Sequence, residues 1–532
     1  MKKEILNLTL YHQIEQYRES KVTALYFRNH KVSFQKLIEK VDILADKLYY
    51  LGVRENDVVT LLAPNIIETV TSIYALNKIG AIISILHPLS SPNDLATSLK
   101  ETKSKFLLIV DARYYFYKEV IDKEDVKVYF ISARDDLSII EKIGFHFLFR
   151  RENYFVDKSR LLCNIKYKKI QFNTNINSLK PSFYIQSGGT TGKSKTVILN
   201  DKCISFPGSK SSQILGREIK GISMIGLLPF YHGFGISMGL HAPLMNEAAS
   251  SLMIKYNINE ITRKIRKNEL NVLIVIPYLA RKLLNEKKFK GFKLNNLYAT
   301  YVGADKTDPK LIEEFNAKME KYGSENRLLQ GYGLSESTAV NFVNTNINSK
   351  EGSVGKPLED VKVIITHLDS LEKCKEGEVG RILISSPSIC LGYLNNDNKE
   401  LFTEINKDKY LVTGDLGYLD KDGYLFIQGR NVDVIKIAGY NVFPVEIEQV
   451  ANKVEGVINS CAIFSNNQKH PYITLFVETK NKERRLIDNI YKHFKDYLLH
   501  YSIPEKIILV DKLPLTKLGK IDKNKIKEEY HL

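Results

Sequence analysis

Ser187-Gly188-Gly189-Thr190-Thr191-Gly192-Lys193-Ser194-Lys195 follows the strand-like run Phe183 to Ile185. Its glycines let the backbone bend so that successive N–H groups point inward, and its hydroxyls and Lys195 add donors. Such an array is a cradle for a polyphosphate. Gly192-Lys193-Ser194 is also the tail of a Walker-type P-loop, but that motif needs a glycine five positions before Gly192, and position 187 is Ser. A P-loop phosphotransferase is therefore the weaker functional alternative, and a solvated surface loop is the structural one.

The segments on either side of the loop alternate between strand and helix. Ser33 is a predicted N-cap for a helix carrying Leu37, Val41, Leu44 and Leu48 on one face, with Gly52 just past its end. A second helix covers about Ile66 to Ile79 and stops at Gly80, feeding the apolar run Ala81 to Leu86. Apolar runs at Phe106 to Val110 and Val272 to Ile276 read as buried parallel strands. The fold class is α/β: a large multi-layer domain over residues 1–430. Beyond Gly429-Arg430 short strands at Ser460 to Phe464 and Tyr472 to Val477, a charged helix near Glu483 to Leu499 and a further strand before Pro514 predict a small α+β domain over 431–532. The cleft between the two is the expected site. Arg113 to Leu179 shows weak periodicity and many charges, and no role follows from it.

With 532 residues and 44% hydrophobic content the chain can bury a large core. The net charge of +16 raises nucleic-acid or lipid binding. The basic groups at Arg150-Arg151, Lys166 to Lys169 and Lys287-Lys288 are short and carry no nucleic-acid-binding signature, so a solvated Lys-rich surface is expected. Docking of an acidic partner, or peripheral contact with anionic lipid, is the minority reading. Cys163, Cys203, Cys374, Cys390 and Cys461 show neither metal-ligand spacing nor a disulfide framework, which fits a reducing, cytoplasmic setting. Val58 to Leu89 is apolar-rich, but Asn65, Glu68, Asn77 and Lys78 exclude a membrane span.

Further stretches occur in a fixed order: Leu228-Pro229-Phe230-Tyr231-His232-Gly233-Phe234-Gly235, Gly331-Tyr332-Gly333-Leu334-Ser335-Glu336, Tyr410 to Asp415, Gly429-Arg430 with Asp433 to Gly439, and Leu513 to Thr516 through Gly519-Lys520-Ile521. As an ordered set, with the glycine-rich loop, they resemble the AMP-forming adenylate synthetases, the superfamily of acyl-CoA synthetases, peptide-synthetase adenylation domains and luciferases. The resemblance runs from about Thr23 to near Lys527. It implies ATP-dependent formation of an acyl-adenylate with release of pyrophosphate, then transfer of the acyl group to a thiol. The thiol is that of CoA or, alternatively, of a phosphopantetheinyl carrier protein. A carboxylate attacking the α-phosphate brings two anions together, so positioning and charge neutralisation must dominate the catalysis.

By this resemblance Ser187, Gly188, Gly189, Thr191, Gly192 and Lys195 hold the phosphates, with Thr190 in the catalytic set. Glu336 binds Mg2+, Tyr332 in its turn with Gly333 packs on adenine, and Gly303, Ala304 and Asp305 line the purine pocket. Asp415 takes the ribose hydroxyls and Arg430 contacts the ribose or phosphate side; a purely structural Asp415–Arg430 ion pair is the alternative. Lys520 is the catalytic cation of adenylation, on a C-terminal domain expected to be mobile, and Gly439 lines the pantetheine tunnel. The sequence departs from the family at the usual hinge position, where Val432 stands before Asp433. Amino-acid-activating members carry an Asp near Tyr231-His232; here His232 stands instead, as a gating residue of the acyl site. An acid without an α-amine follows, a fatty acid first and an aryl acid second, with Phe230, Phe234, Ile236, Met238 and Leu240 as an apolar wall or as core. A nucleic-acid-binding or catalytically silent scaffold is the remaining class.

Overall fold

The structure is a computed structural model that describes residues 2–132, 156–187, 195–226, 229–305, 307–430, 435–437, 440–442, 444–465, 472–480, 483–498, 500–516 and 521–531. Local signals set the first elements. Ser33, extended at φ −72° and ψ 162°, accepts from Lys36 N–H and opens helix Phe34–Tyr50. Helix Ile67–Ile79 ends at Gly80, whose φ of 82° is the left-handed region that a side chain strains. Its stripe is buried on nearly every side, so it packs between layers rather than lying on the surface.

Among the described residues two large sheets form the body. A nine-stranded sheet has the parallel core Thr23–Phe27, Ala249–Leu252, Ser223–Gly226, Val272–Val275, Ala299–Val302 and Leu328–Tyr332. A seven-stranded sheet has the parallel core Phe183–Gln186, Ile82–Ile85, Val58–Leu62, Phe106–Val110 and Lys127–Ile131. Strands such as Phe106–Val110 and Val272–Val275 are buried at every position, which is why they read as unbroken apolar runs. An antiparallel sheet of Lys362–Thr366, Gly380–Ser385, Asp408–Leu419, Phe402–Ile405 and Leu425–Arg430 closes the body. The small α+β unit follows, with Asn459–Ser465, Tyr472–Glu478 and Lys506–Val510 covered by helices Pro444–Ala451 and Arg484–Tyr497 around Ile447, Leu475, Ile490 and Phe494. The linker expected at Asn431 to Asp433, including Val432, lies outside the described residues.

The structure corrects the sequence reading of 113–179. Helix Tyr114–Ile121 and strand Lys127–Ile131 complete the edge of the seven-stranded sheet, with Tyr117 and Phe130 buried. The helical stripe there is made of Tyr114, Tyr117 and Ile121, and tyrosines at those positions weaken the apolar contrast that periodicity depends on. Arg150 and Arg151 lie outside the described residues, whereas Lys166, Lys168, Lys169, Lys287 and Lys288 are solvent-exposed. Among the described residues no helix is long and apolar enough to cross a membrane. All five cysteines are free.

A polar seam pins the amino-terminal segment to the body. Asn77 Oδ1 accepts from Tyr11 N–H at 2.9 Å, and Asn77 Nδ2 donates to the buried Asp201 at 2.8 Å. Burial raises the Asp201 carboxyl from 3.8 to about 7. The folded protein therefore holds a proton that the unfolded chain has already released, and stability falls as pH rises across that window. Asp201→Asn should raise the melting temperature relative to wild type by a margin that grows from about pH 5 to about pH 8, with on the order of 4 kcal/mol as the ceiling. Melting curves at the two ends check this; a margin independent of pH contradicts it.

Candidate nucleotide site

Asp415 stands in the long strand Asp408–Leu419, directly opposite Arg430. Its Oδ1 lies 2.7 Å from Arg430 Nε, with the Asp415 side chain 6% exposed and that of Arg430 46% exposed. Tyr332, the last residue of its strand, donates its hydroxyl to Asp415 Oδ2 at 2.5 Å. One carboxylate thus joins the nine-stranded sheet to the antiparallel one. Burial first, and the Asp415 charge second, push the Tyr332 phenol well above its ordinary value, so it stays a proton donor. Thr413 orients the turn: its hydroxyl donates to Ile382 O at 2.8 Å and accepts from Asp415 N–H at 3.0 Å. The ion pair weighed as an alternative does form. A carboxylate offers about four lone-pair directions, so pairing with Arg430 leaves it able to accept from a diol.

The turn after Tyr332 depends on two glycines. A side chain on Gly333 would place its first carbon 1.4 Å from Ala339 O, and one on Gly233 would place it 1.9 Å from Thr338 O. Thr338 itself holds φ 64° and ψ −57°, an unfavourable conformation for a β-branched residue. It is kept there by burial and by donation from its hydroxyl to Ser388 O at 3.1 Å. Within this turn Glu336 is half-buried and its Oε1 accepts from the Tyr393 hydroxyl at 2.7 Å. Lys195 Nζ lies 4.6 Å from the centre of the Tyr393 ring. A cation, a phenol and a carboxylate therefore stand in line at the exit of the glycine-rich loop.

The ends of that loop are tied together: Ser187 N–H donates to Lys195 O at 2.8 Å, and Lys195 N–H donates to Ser187 Oγ at 3.0 Å. Gly188, Gly189, Thr190, Thr191 and Gly192 between them lie outside the described residues, as do Gly439 and Lys520. Leu515 and Ile521, which flank the Lys520 segment, pair across an antiparallel bridge. A half-buried carboxylate held by the Tyr393 hydroxyl is an oxygen donor of the hard kind that Mg2+ takes, so Glu336 could hold that ion.

Gly303 follows strand Ala299–Val302, and its vacant side-chain direction points 3.1 Å from Gly331 O and 3.6 Å from Phe234 Cε1. Ala304 next to it is left-handed at φ 66°, and Asp305 completes the segment. His232 Nδ1 accepts from Phe234 N–H at 3.2 Å, which puts the proton of the neutral ring on Nε2. Phe230, Ile236, Met238 and Leu240 are buried in the hydrophobic clusters of the body, while Phe234 is half-buried. Thr338, Ser388 and Tyr393 were missed by sequence reasoning. The pairing of Gly392–Tyr393 with Thr196–Leu199, together with the Cys390 N–H donated to Glu336 O at 2.7 Å, brings Tyr393 to Glu336, and no short motif signals it.

Gly333→Ala forces a methyl carbon into Ala339 O, so overpacking of roughly 1–3 kcal/mol is expected. Nucleotide affinity should fall at least about tenfold at the same time, because the strand end bearing Tyr332 must shift. Thermal melting and equilibrium ATP binding check both outcomes; unchanged values contradict the crowding.

The comparisons with known proteins fit this geometry. The model of the AMP-binding enzyme family matches residues 10–394, and that of the AMP-binding enzyme C-terminal domain matches residues 446–520. A long-chain-fatty-acid–CoA ligase of Salmonella typhimurium is 26% identical over 520 residues, covering 94% of this chain and 90% of the relative. A 2-succinylbenzoate–CoA ligase of Listeria monocytogenes is 26% identical over 519 residues, covering 96% and 97%. The crystal structure of ATP-bound MatB from Rhodopseudomonas palustris superposes with a TM-score of 0.83 at 20% identity over 98% of this chain and 99% of that one, which speaks to the fold. The ordered motifs and the matched length of both domains place the chain in the AMP-binding enzyme family, the AMP-forming adenylate synthetases.

Proposed function

We propose that this chain is an ATP-dependent, AMP-forming acid–thiol ligase that activates a hydrophobic carboxylic acid, a fatty acid before an aryl acid, and passes the acyl group to CoA. The observation that carries it is the buried Asp415 carboxylate, held between Arg430 and Tyr332 where a ribose diol would be gripped. In the first step a carboxylate oxygen bonds to the α-phosphorus and the bond from that phosphorus to the bridging oxygen breaks, releasing pyrophosphate. In the second the thiol gives up its proton to solvent as its sulfur bonds to the acyl carbon, and the acyl C–O bond breaks so that AMP leaves with that oxygen. Mg2+ on Glu336 would supply charge neutralisation at the phosphates.

The protein's own groups supply the rest. Ser187, Lys195 and Gly188 to Gly192 cradle the β- and γ-phosphates, with Thr190 donating. Gly303, Ala304 and Asp305 wall the purine beside Tyr332 and Gly333. Lys520 places an ammonium between the acyl carboxylate and the α-phosphate. Gly439 leaves room for the pantetheine arm once the carboxy-terminal domain, taken to begin at residue 431, has turned on its hinge. His232 sits where amino-acid-activating relatives carry Asp, which favours an acid without an α-ammonium group. Five free cysteines accord with a reducing cytoplasm. A carrier protein's phosphopantetheine arm is the second choice of acceptor, because the basic surface suits an acidic partner.

Acid-dependent exchange of pyrophosphate into ATP, screened over acids of graded chain length and ring content, tests the reading. Lys520→Ala should lower that exchange by a factor on the order of 100 or more while leaving ATP affinity within about threefold. ADP as product, or exchange untouched by Lys520→Ala, contradicts it.

A further inference from the structure

We propose that His367, Cys374 and Glu378 form a binding site for a thiophilic divalent cation of the zinc class, distinct from the nucleotide site. Strands Lys362–Thr366 and Gly380–Ser385 are antiparallel neighbours, and the segment between them folds so that one ligand atom from each of the three residues lies within 4.8 Å of the others. Cys374 Sγ is 3.7 Å from His367 Nδ1, and His367 Nδ1 is 3.5 Å from Glu378 Oε1. A zinc ion bonded at about 2.3 Å to sulfur and about 2.1 Å to nitrogen and oxygen, at tetrahedral angles, sets S···N near 3.6 Å and N···O near 3.4 Å, all to within about 0.1 Å. The two spacings through His367 match those edges, and the Cys374 sulfur and a Glu378 carboxylate oxygen lie within 4.8 Å of one another. The 3.5 Å His367–Glu378 contact is too long for a good N–H···O bond, while the 3.7 Å Cys374–His367 contact is also within reach of a weak thiol hydrogen bond.

The surroundings aim the three groups. A side chain on Gly380 would put its first carbon 2.6 Å from Cys374 Sγ and 2.2 Å from Thr366 O, so the absence of one there seats the sulfur. Lys375 N–H donates at 2.9 Å to Oε2 of Glu378, leaving Oε1 turned toward the histidine. Cys374 N–H donates to Ile365 O at 2.9 Å and His367 N–H to Glu372 O at 3.0 Å, which fixes the backbone carrying both ligands. Cys374 is buried, whereas His367 and Glu378 are 43% and 42% exposed, so the ion is reached from solvent and water completes its shell. Sulfur, nitrogen and oxygen together select zinc over magnesium or calcium, which take oxygen ligands. Cysteine spacing does not show the site because two of its three ligands are not cysteines. A bound ion would brace the hairpin whose Ile382 carbonyl holds Thr413, two residues from Asp415.

Cobalt(II) titrated into the chelator-treated, full-length protein tests the proposal. One equivalent should bind with thiolate-to-cobalt charge-transfer absorption that Zn2+ displaces; the oxygen donors expected at Glu336 give no such band. The band should persist in Cys163→Ser, vanish in Cys374→Ser, and require at least about tenfold more cobalt in His367→Gln and in Glu378→Gln. Those two positions are exposed, so they decide the matter should Cys374→Ser lose its native circular dichroism. Absence of the band in wild type, its survival in folded Cys374→Ser, or unchanged titration of both surface variants overturns the site.

Discussion

A buried carboxylate is costly unless its oxygens are satisfied, and Asp415 meets that requirement by drawing in groups from two sheets. Arg430 comes from the neighbouring strand and Tyr332 from the end of a parallel strand in the nine-stranded body. The sheet junction and the proposed nucleotide site therefore share one carboxylate. Removing Arg430 would leave the carboxylate's charge uncompensated, and removing the Tyr332 hydroxyl would break its hydrogen bond to the other sheet. Asp415 is 6% exposed while its partner Arg430 is 46% exposed, so the pair lies at the border between core and solvent.

The strain around it follows the same logic. Thr338 is held in a conformation that its branched side chain disfavours, and its carbonyl occupies the space that Gly233 leaves. Gly333 makes the same concession to Ala339. These contacts pack the turn carrying Glu336 closely against the segment carrying His232. Rigid placement matters here because the chemistry needs no proton transfer in its first step; it needs repelling oxyanions held at bonding distance.

Much of this was legible in the sequence, for identifiable reasons. Helix ends at Ser33 and Gly80 were marked by residues whose local chemistry stops or starts a helix, and buried strands such as Phe106–Val110 were marked by unbroken apolar runs. Asp415, Arg430, Tyr332 and Glu336 stood in short motifs with fixed order. Tyr393 could not be read, because it reaches Glu336 through the antiparallel pairing of Gly392–Tyr393 with Thr196–Leu199, nearly 200 residues away in sequence. Thr338 was invisible for another reason: nothing in its composition announces a positive φ. The edge strand Lys127–Ile131 escaped because its apolar run, Val128 to Ile131, is short and follows the charged stretch Asp122 to Lys127.

The central claim is that Asp415, clamped by Tyr332 and Arg430, grips the ribose of the nucleotide. Equilibrium affinities of wild type and Asp415→Asn for ATP and for 2′,3′-dideoxy-ATP test it most directly. Wild type should prefer ATP by a factor on the order of 10 or more, and Asp415→Asn should bind the two nearly alike. A preference for ATP that survives intact in the folded variant would contradict the account.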